Sequence, residues 1–278
     1  MSEAQALAAP VPPATVREAP EVAGYRALWS AAPTDLAARH GIDALEVAGG
    51  VCLAVASQDL HPMFCHAFGV GTGRAVTDAD LDRMDAFYAA YGVGYQVAAA
   101  PSATGDLAAR LTARGFRPVR PWMTFHRPAG EIAGPATDLR VVRADAASAP
   151  AFGGVVVAGF GMPPDFTGWV ARMVDVPGVT CLLAMDGDVP VGAAALAVVG
   201  DVAWFSMGAV LAEHRGRGAQ GALFAARSRV ALRAGARHFV TETGAPTGDE
   251  PPGPSYRNML RWGFREAELR RNLASPPA

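Results

Sequence analysis

The chain contains no lysine: its 24 basic residues are all arginine, against 26 acidic ones, for a net charge of -2. That balance excludes the strongly basic footprint of a nucleic-acid-binding protein and gives no steering toward an anionic membrane. Without lysine the phosphate loop G-x-x-x-x-G-K-[ST] cannot be written. Cysteine is scarce too. Cys52, Cys65 and Cys181 are odd in number and form no paired framework, which reads as reduced thiols in a cytoplasmic protein. No apolar run approaches the ~18 residues of a bilayer-spanning helix, and the start lacks the basic-then-apolar signal pattern.

Metal-ligand spacing is also missing. The run Asp78-Ala79-Asp80-Leu81-Asp82 mimics the opening of a calcium loop, but Arg83 stands at its sixth position and Ala89 at its twelfth, where such a loop needs Gly and Glu. Cys65-His66 beside His61 lacks two further ligands at zinc spacing. Ser206 lies between Trp204 and Gly208 without the flanks of a hydrolase nucleophile elbow. No metal is expected.

What is present is length and apolar content for about two domains: 278 residues, 51% of them hydrophobic. Residues 1–24, rich in Ala, Pro and Glu, read as a flexible lead-in with one short element near residues 14–17. The most informative stretch is 209–223. Here an apolar strand ending near Val210 enters the turn Arg215-Gly216-Arg217-Gly218-Ala219-Gln220-Gly221, and the turn opens a helix. Glycines let the backbone approach a ligand closely. The first amides of a helix lack intrahelical acceptors and its dipole attracts anions, so a strand, a glycine turn and a helix start form a phosphate cradle. Arg215 and Arg217 add positive charge for phosphate oxygens. G-x-G-x-x-G can be laid onto 216–221, but a dinucleotide fold wants that turn after its first strand, and here several strands precede it.

The segment resembles the pyrophosphate-binding motif R/Q-x-x-G-x-G/A of the GNAT superfamily of acyl-CoA N-acyltransferases. Arg215, Gly216, Arg217, Gly218 and Ala219 fit, Val210 falls where the family's splayed fourth strand ends, and Gln220 departs from the usual final Gly or Ala. A second feature points the same way. Arg114-Gly115-Phe116 and Trp262-Gly263-Phe264 each close an apolar-periodic helix, where Gly is the usual stop, and each precedes a strand-like run. Reading backward from either gives strand (95–98; 238–242), helix (78–91; 218–234) and strand (64–70; 202–210). The expectation is therefore an α/β fold, α+β with a mixed sheet, in two tandem GNAT-like copies. Residues 25–130 form the first, 131–137 a linker and 138–278 the second. The first copy has Gly69, Gly71 and Gly73 but no spaced arginines, and its helix opens on Thr77, Asp78 and Asp80, acids that repel pyrophosphate. It reads as a degenerate copy that no longer binds CoA.

The resemblance implies acyl transfer from acetyl-CoA or another acyl-CoA to a small-molecule or peptide amine by direct attack in a ternary complex. Neither nucleic acid nor membrane is an expected partner. Pantetheine would lie along the strand ending at Val210. Members often carry a tyrosine four residues before the Gly-Phe; here that position is Met259, which leaves Tyr256 and Ser255 as candidates for the acid. Ser255 and Asn258, three apart on a helix face, could bond the pantetheine amide or the sulfur. Glu242, at the end of its strand, is the candidate base. The acceptor pocket would use residues 160–166 with Trp169 and Trp204. A non-catalytic CoA-binding protein that lost its acid, and a nucleotide-dependent enzyme with another pyrophosphate ligand, are the competing readings. Gly218→Glu should abolish CoA binding and leave the fold intact.

Overall fold

The computed structural model describes residues 10–58 and 64–276; His61, part of the weak cysteine–histidine grouping, lies outside them. Its contacts divide the chain into two units, one gathering Val11–Phe125 with Glu242–Ala278, the other built on His126–Thr241.

The first unit starts with helices α1 (Ala14–Arg17), α2 (Ala19–Ser30) and α3 (Thr34–His40), followed by strands β1 (Ile42–Val47) and β2 (Gly50–Val55). Then come β3 (His66–Phe68), α4 (Asp78–Ala89), β4 (Gln96–Ala99), α5 (Pro101–Thr104), α6 (Leu107–Ala113), β5 (Arg117–Pro118) and β6 (Trp122–Pro128), the last crossing the division at Phe125. The second unit continues with β7 (Arg140–Arg143), α7 (Ala149–Phe160), α8 (Thr167–Ala171), β8 (Val179–Asp186), β9 (Val189–Val199), β10 (Val202–Val210), α9 (Ala219–Arg233) and β11 (His238–Gly244). Beyond Thr241 the chain returns to the first unit with α10 (Pro254–Arg261) and β12 (Arg265–Ala274).

Each unit repeats one pattern. In the first, β1, β2 and β3 pair antiparallel in sequence, and β3 then pairs parallel with β4 across α4. In the second, β7, β8, β9 and β10 pair antiparallel, and β10 pairs parallel with β11 across α9. The parallel step falls where a helix makes the crossover, as it must. The apolar cores follow the same plan: Leu81, Met84 and Tyr88 of α4 pack with Val97 of β4, and Leu223 and Ala226 of α9 pack with Leu182, Val191 and Ala194.

The units differ from the sequence division in where their last strands go. β12 pairs antiparallel with β4, Leu273 opposite Val97, inside the first unit. The His126–Pro128 part of β6 belongs to the second unit, whose β11 it neighbours. Both Gly-Phe stops therefore fall in the first unit. Gly115 and Gly263 take φ of +90° and +79°, and the amides of Phe116 and Phe264 reach back to the carbonyls of Leu111 and Met259. The shared helix stop is local chemistry; which sheet receives the following strand is not.

Two further readings need correction. Residues 14–24 are helical rather than a flexible lead-in, with Arg17, Glu18 and Glu21 all buried. They are held by charge: Glu21 bonds Arg270 of β12, and Arg17 bonds Glu268. The segment 131–137 is not a loose linker. Ile132 is buried and its amide donates to Ser228 Oγ of α9 at 3.0 Å. Thr137 Oγ1 donates to the Arg217 carbonyl at 2.7 Å. Composition showed Pro and Gly there but not what they pack on.

Close packing of α7 on β10 depends on Gly159, where an added Cβ would stand 2.6 Å from Ala209 Cβ. Gly159→Val is expected to destabilise the protein by about 1–3 kcal/mol through overpacking, read as a lower denaturation midpoint with unchanged slope.

Candidate functional site

Strand β10 is paired on one edge along most of its length and on the other only at its start. Its parallel ladder with β11 covers Val202–Trp204 against His238–Val240. Thr241 Oγ1 then donates to the Phe205 carbonyl at 2.9 Å, and no further β10–β11 pair forms among the described residues. Along β9, in contrast, β10 stays paired to Val210, with a register shift between Ser206 and Ala209. Met207 within that bulge has φ +49°, a conformation rare for a residue with a side chain. The strand is thus bent away from β11 where it approaches the turn.

The turn has the form the sequence predicts. A short 3₁₀ segment (Ala212–His214) leads into Arg215, and α9 starts at Ala219. Gly216 and Gly218 adopt φ of +80° and +86°, which glycine alone takes without strain. The N–H groups of Gly216, Gly218, Ala219 and Gly221 donate to no other backbone carbonyl among the described residues. Four amides at a helix start are left for an anion. Val210 is half-buried and accepts Arg215 Nε on its carbonyl at 3.3 Å, while Arg215 itself is exposed. Ala219 is in the core, and Gln220 sits half-buried in the first turn of α9.

The two arginines have different jobs. Arg217 is paired with Asp186 and, at 2.9 Å, with Asp138. Those carboxylates hold its pKa above the ordinary arginine value, and Arg217 in turn holds that of Asp186 below the carboxylate range. Its charge is spent bracing the turn against β8 and residue 138, so Arg215 is the cation left to meet a ligand. Gly218 is also more than a gap. A Cβ there would lie 3.1 Å from Pro135 Cγ and 3.2 Å from Thr137 Cβ. Gly218→Glu therefore strains the fold, contrary to the sequence expectation, whereas a Cβ on Gly216 meets nothing within 4 Å.

The corresponding turn of the first unit is closed on itself. The amides of Gly71 and Gly73 both donate to the Ala48 carbonyl. Thr77 and Asp80 form a reciprocal capping box at the start of α4. Arg74 binds Asp80 with both terminal nitrogens, at 2.6 and 2.7 Å. That bond, the Thr77 amide and the other contacts of the cap hold the Asp80 carboxyl far below its ordinary pKa. Its donors and its cation already have partners.

The remaining predicted residues lie in the other unit from the turn. Tyr256, Ser255 and Asn258 are on α10, and Glu242 is where β11 enters the first unit. Tyr256 is buried against Phe125, ring centroids 4.8 Å apart and edge-to-face. Its hydroxyl donates to Glu266, and burial together with that carboxylate raises its pKa above the phenolic range. Ser255 is exposed, Asn258 half-buried and Met259 buried. Glu242 is half-buried two residues before the strand ends, and its charge acts on Tyr25 and Arg270. Phe166, Trp169 and Trp204 are core residues, so they do not mark an open acceptor pocket.

One residue beside the bulge escaped the sequence reading. Arg227 of α9 is 2% exposed. Its guanidinium lies over Phe205 and Phe224, 4.8 and 4.4 Å from the ring centroids. It donates from Nη1 to the carbonyls of Ser206 (3.3 Å) and Ala195 (3.5 Å) and from Nε to that of Leu223 (3.4 Å). Burial lowers its pKa to about 9. The signal was there: 223, 227 and 231 share one face of α9, and Leu223 and Ala231 are apolar.

No protein-family model matches the chain, and no curated protein matches it. Solved structures do. The chain is similar to a GCN5-related N-acetyltransferase from Kribbella flavida, at 18% identity over 92% of this chain and 96% of that one, with a TM-score of 0.57. It is similar to a GCN5-related N-acetyltransferase from Sphaerobacter thermophilus at 17% identity, covering 96% and 94%, with a TM-score of 0.57. A tandem GNAT protein from the clavulanic acid biosynthesis pathway matches at 14% identity over 75% of this chain and 70% of that one, with a TM-score of 0.53. The chain has the mixed α/β fold of the GCN5-related N-acetyltransferases.

Proposed function

We propose that this chain is an acyl-CoA-dependent N-acyltransferase, with acetyl-CoA the expected donor, whose cofactor site lies in the His126–Thr241 unit. The observation that carries the reading is the pairing of a strand bent away from its parallel neighbour after Trp204 with a helix start whose turn amides lack acceptors. In this reading the amides of 216–221 and Arg215 hold the diphosphate, and open space at Gly216 admits it. The edge of β10 approaching Val210 receives the amide-bearing arm. When bound, acyl-CoA supplies a thioester carbonyl open to attack by an amine. Glu242 would take the proton from that amine on its carboxylate. Tyr256, or Ser255 beside it, would supply a proton to the departing sulfur, and Asn258 would orient the arm. Positioning supplies most of the acceleration, with the proton transfers adding ~10²–10⁴-fold. The first-unit turn, closed by Ala48 and Asp80, binds no second cofactor, so one CoA per chain is expected.

Calorimetric titration with acetyl-CoA tests this. Wild type should bind one equivalent. Gly216→Glu, which adds charge and bulk where the space is open, should weaken binding at least 100-fold, while Arg215→Ala should weaken it by about 10-fold, the value of a charge-assisted hydrogen bond. Wild-type protein that binds no CoA overturns the reading; two equivalents overturn the degenerate first turn.

One observation favours a second reading, a CoA-binding protein without turnover: Met259 stands at the acid position, and the Tyr256 hydroxyl is engaged by Glu266. A panel of amines with acetyl-CoA separates the two. Thiol release stimulated by any amine and lost in Tyr256→Phe supports catalysis with Tyr256 as the acid.

A further inference from the structure

Arg227 is a cation almost wholly out of water with no carboxylate to balance it. Its ring and carbonyl contacts use Nε and Nη1. Nη2 makes no hydrogen bond among the described residues and lies 3.9 Å from where a Cβ on Gly208 would be. Gly208 itself is exposed, so the missing side chain leaves the guanidinium beneath the bulge. The neighbouring Ser206 Oγ is buried and also lacks a partner. A buried cation without an anion is costly, and an unused donor on it costs more. The protein's other fully buried arginine, Arg270, has two carboxylates.

We infer that Arg227 is a specificity residue that binds a carboxylate on the ligand seated at the Ser206–Gly208 bulge, through Nη2. This rests on the acyl-CoA reading above. The carboxylate has two sources, the far end of a dicarboxylic acyl chain on CoA or an acidic amine acceptor, and both present the same anion to the same nitrogen. Salt-bridge formation moves no electrons and needs no co-reactant.

The test compares wild type with Arg227→Met, which keeps the length and apolar stem, and Arg227→Lys, which keeps the charge. In the donor arm, succinyl-CoA and acetyl-CoA are titrated calorimetrically. Wild type is expected to bind succinyl-CoA at least 10-fold tighter, Arg227→Met to lose that preference while holding acetyl-CoA within about threefold, and Arg227→Lys to keep part of it. In the acceptor arm, KM for glutamate is compared with KM for glutamine with acetyl-CoA as donor, and the same loss in Arg227→Met with unchanged kcat places the carboxylate on the acceptor. Circular dichroism of each variant checks folding. A wild type that binds acetyl-CoA but shows neither preference, or a preference that survives in Arg227→Met, overturns the role of Arg227 and leaves the acyltransferase reading standing. No CoA binding in wild type overturns both.

Discussion

Arg270→Ala is expected to destabilise the protein by about 3–5 kcal/mol, the cost of leaving buried carboxylates without their cation. Arg270 is 1% exposed on β12 and faces two acids of the N-terminal helices. Nη1 lies 3.0 Å from Glu21 Oε1, Nη2 bonds the other Glu21 oxygen, and Nε lies 3.2 Å from Glu18 Oε1 without a hydrogen bond between them. Burial opposes the charge on Arg270, but Glu18 and Glu21 outweigh it and hold the pKa above the usual arginine value. Removing the cation therefore strands charge rather than merely deleting a contact. Urea denaturation read by circular dichroism measures the loss. Combining Arg270→Met with Glu18→Gln and Glu21→Gln should recover most of it, because no buried charge remains. A single variant within 1 kcal/mol of wild type would show that the network is not buried in solution.

The second large effect is on pH. Burial pushes the Glu18 carboxyl from 4.5 up to about 7, with Glu21 adding to the rise and Arg270 opposing it. A folded carboxyl that holds its proton more tightly than the unfolded one favours folding most at low pH. The contribution is fully present below the unfolded value near 4.5, is lost as pH rises toward 7, and changes no further above that. The shift corresponds to about 3 kcal/mol at most. Wild type should therefore lose stability between pH 5 and pH 7.5, and Glu18→Gln should flatten that slope and be the more stable protein at pH 8. The measurement is the denaturation midpoint at pH 5, 6, 7 and 8 for both. A Glu18→Gln profile parallel to wild type would sink the assignment. The two predictions interact: without Arg270 the Glu18 proton is held more tightly still, so Arg270→Ala should cost more at pH 8 than at pH 6.

Much of the fold and one half of the candidate site were legible in the sequence because their chemistry is local. A strand, two glycines at left-handed φ and a helix start lie within a dozen residues, and nothing distant is needed to make the turn at 215–221. The helix stops at Gly115 and Gly263 are local in the same way, as is the capping box at Thr77 and Asp80. The tandem rhythm of strand, helix and strand followed from periodicity alone.

What the sequence left open was decided by contacts between distant residues. That β12 pairs with β4 and leaves the 126–241 unit depends on which sheet edge is there to receive it, and no periodicity encodes that. Composition made residues 14–24 look unstructured, because an acid such as Glu18 or Glu21 reads as solvated until Arg270, some 250 positions later, is folded onto it. Arg217 looked like a phosphate ligand and became a brace once β8 brought Asp186 beside it. Arg227 looked like a surface charge on a helix and is instead buried under the bulge of β10. The local backbone conformations were written in the residue types; the partner of each charge was not, because electrostatic pairing is set by distance in space, and only the tertiary structure supplies that distance.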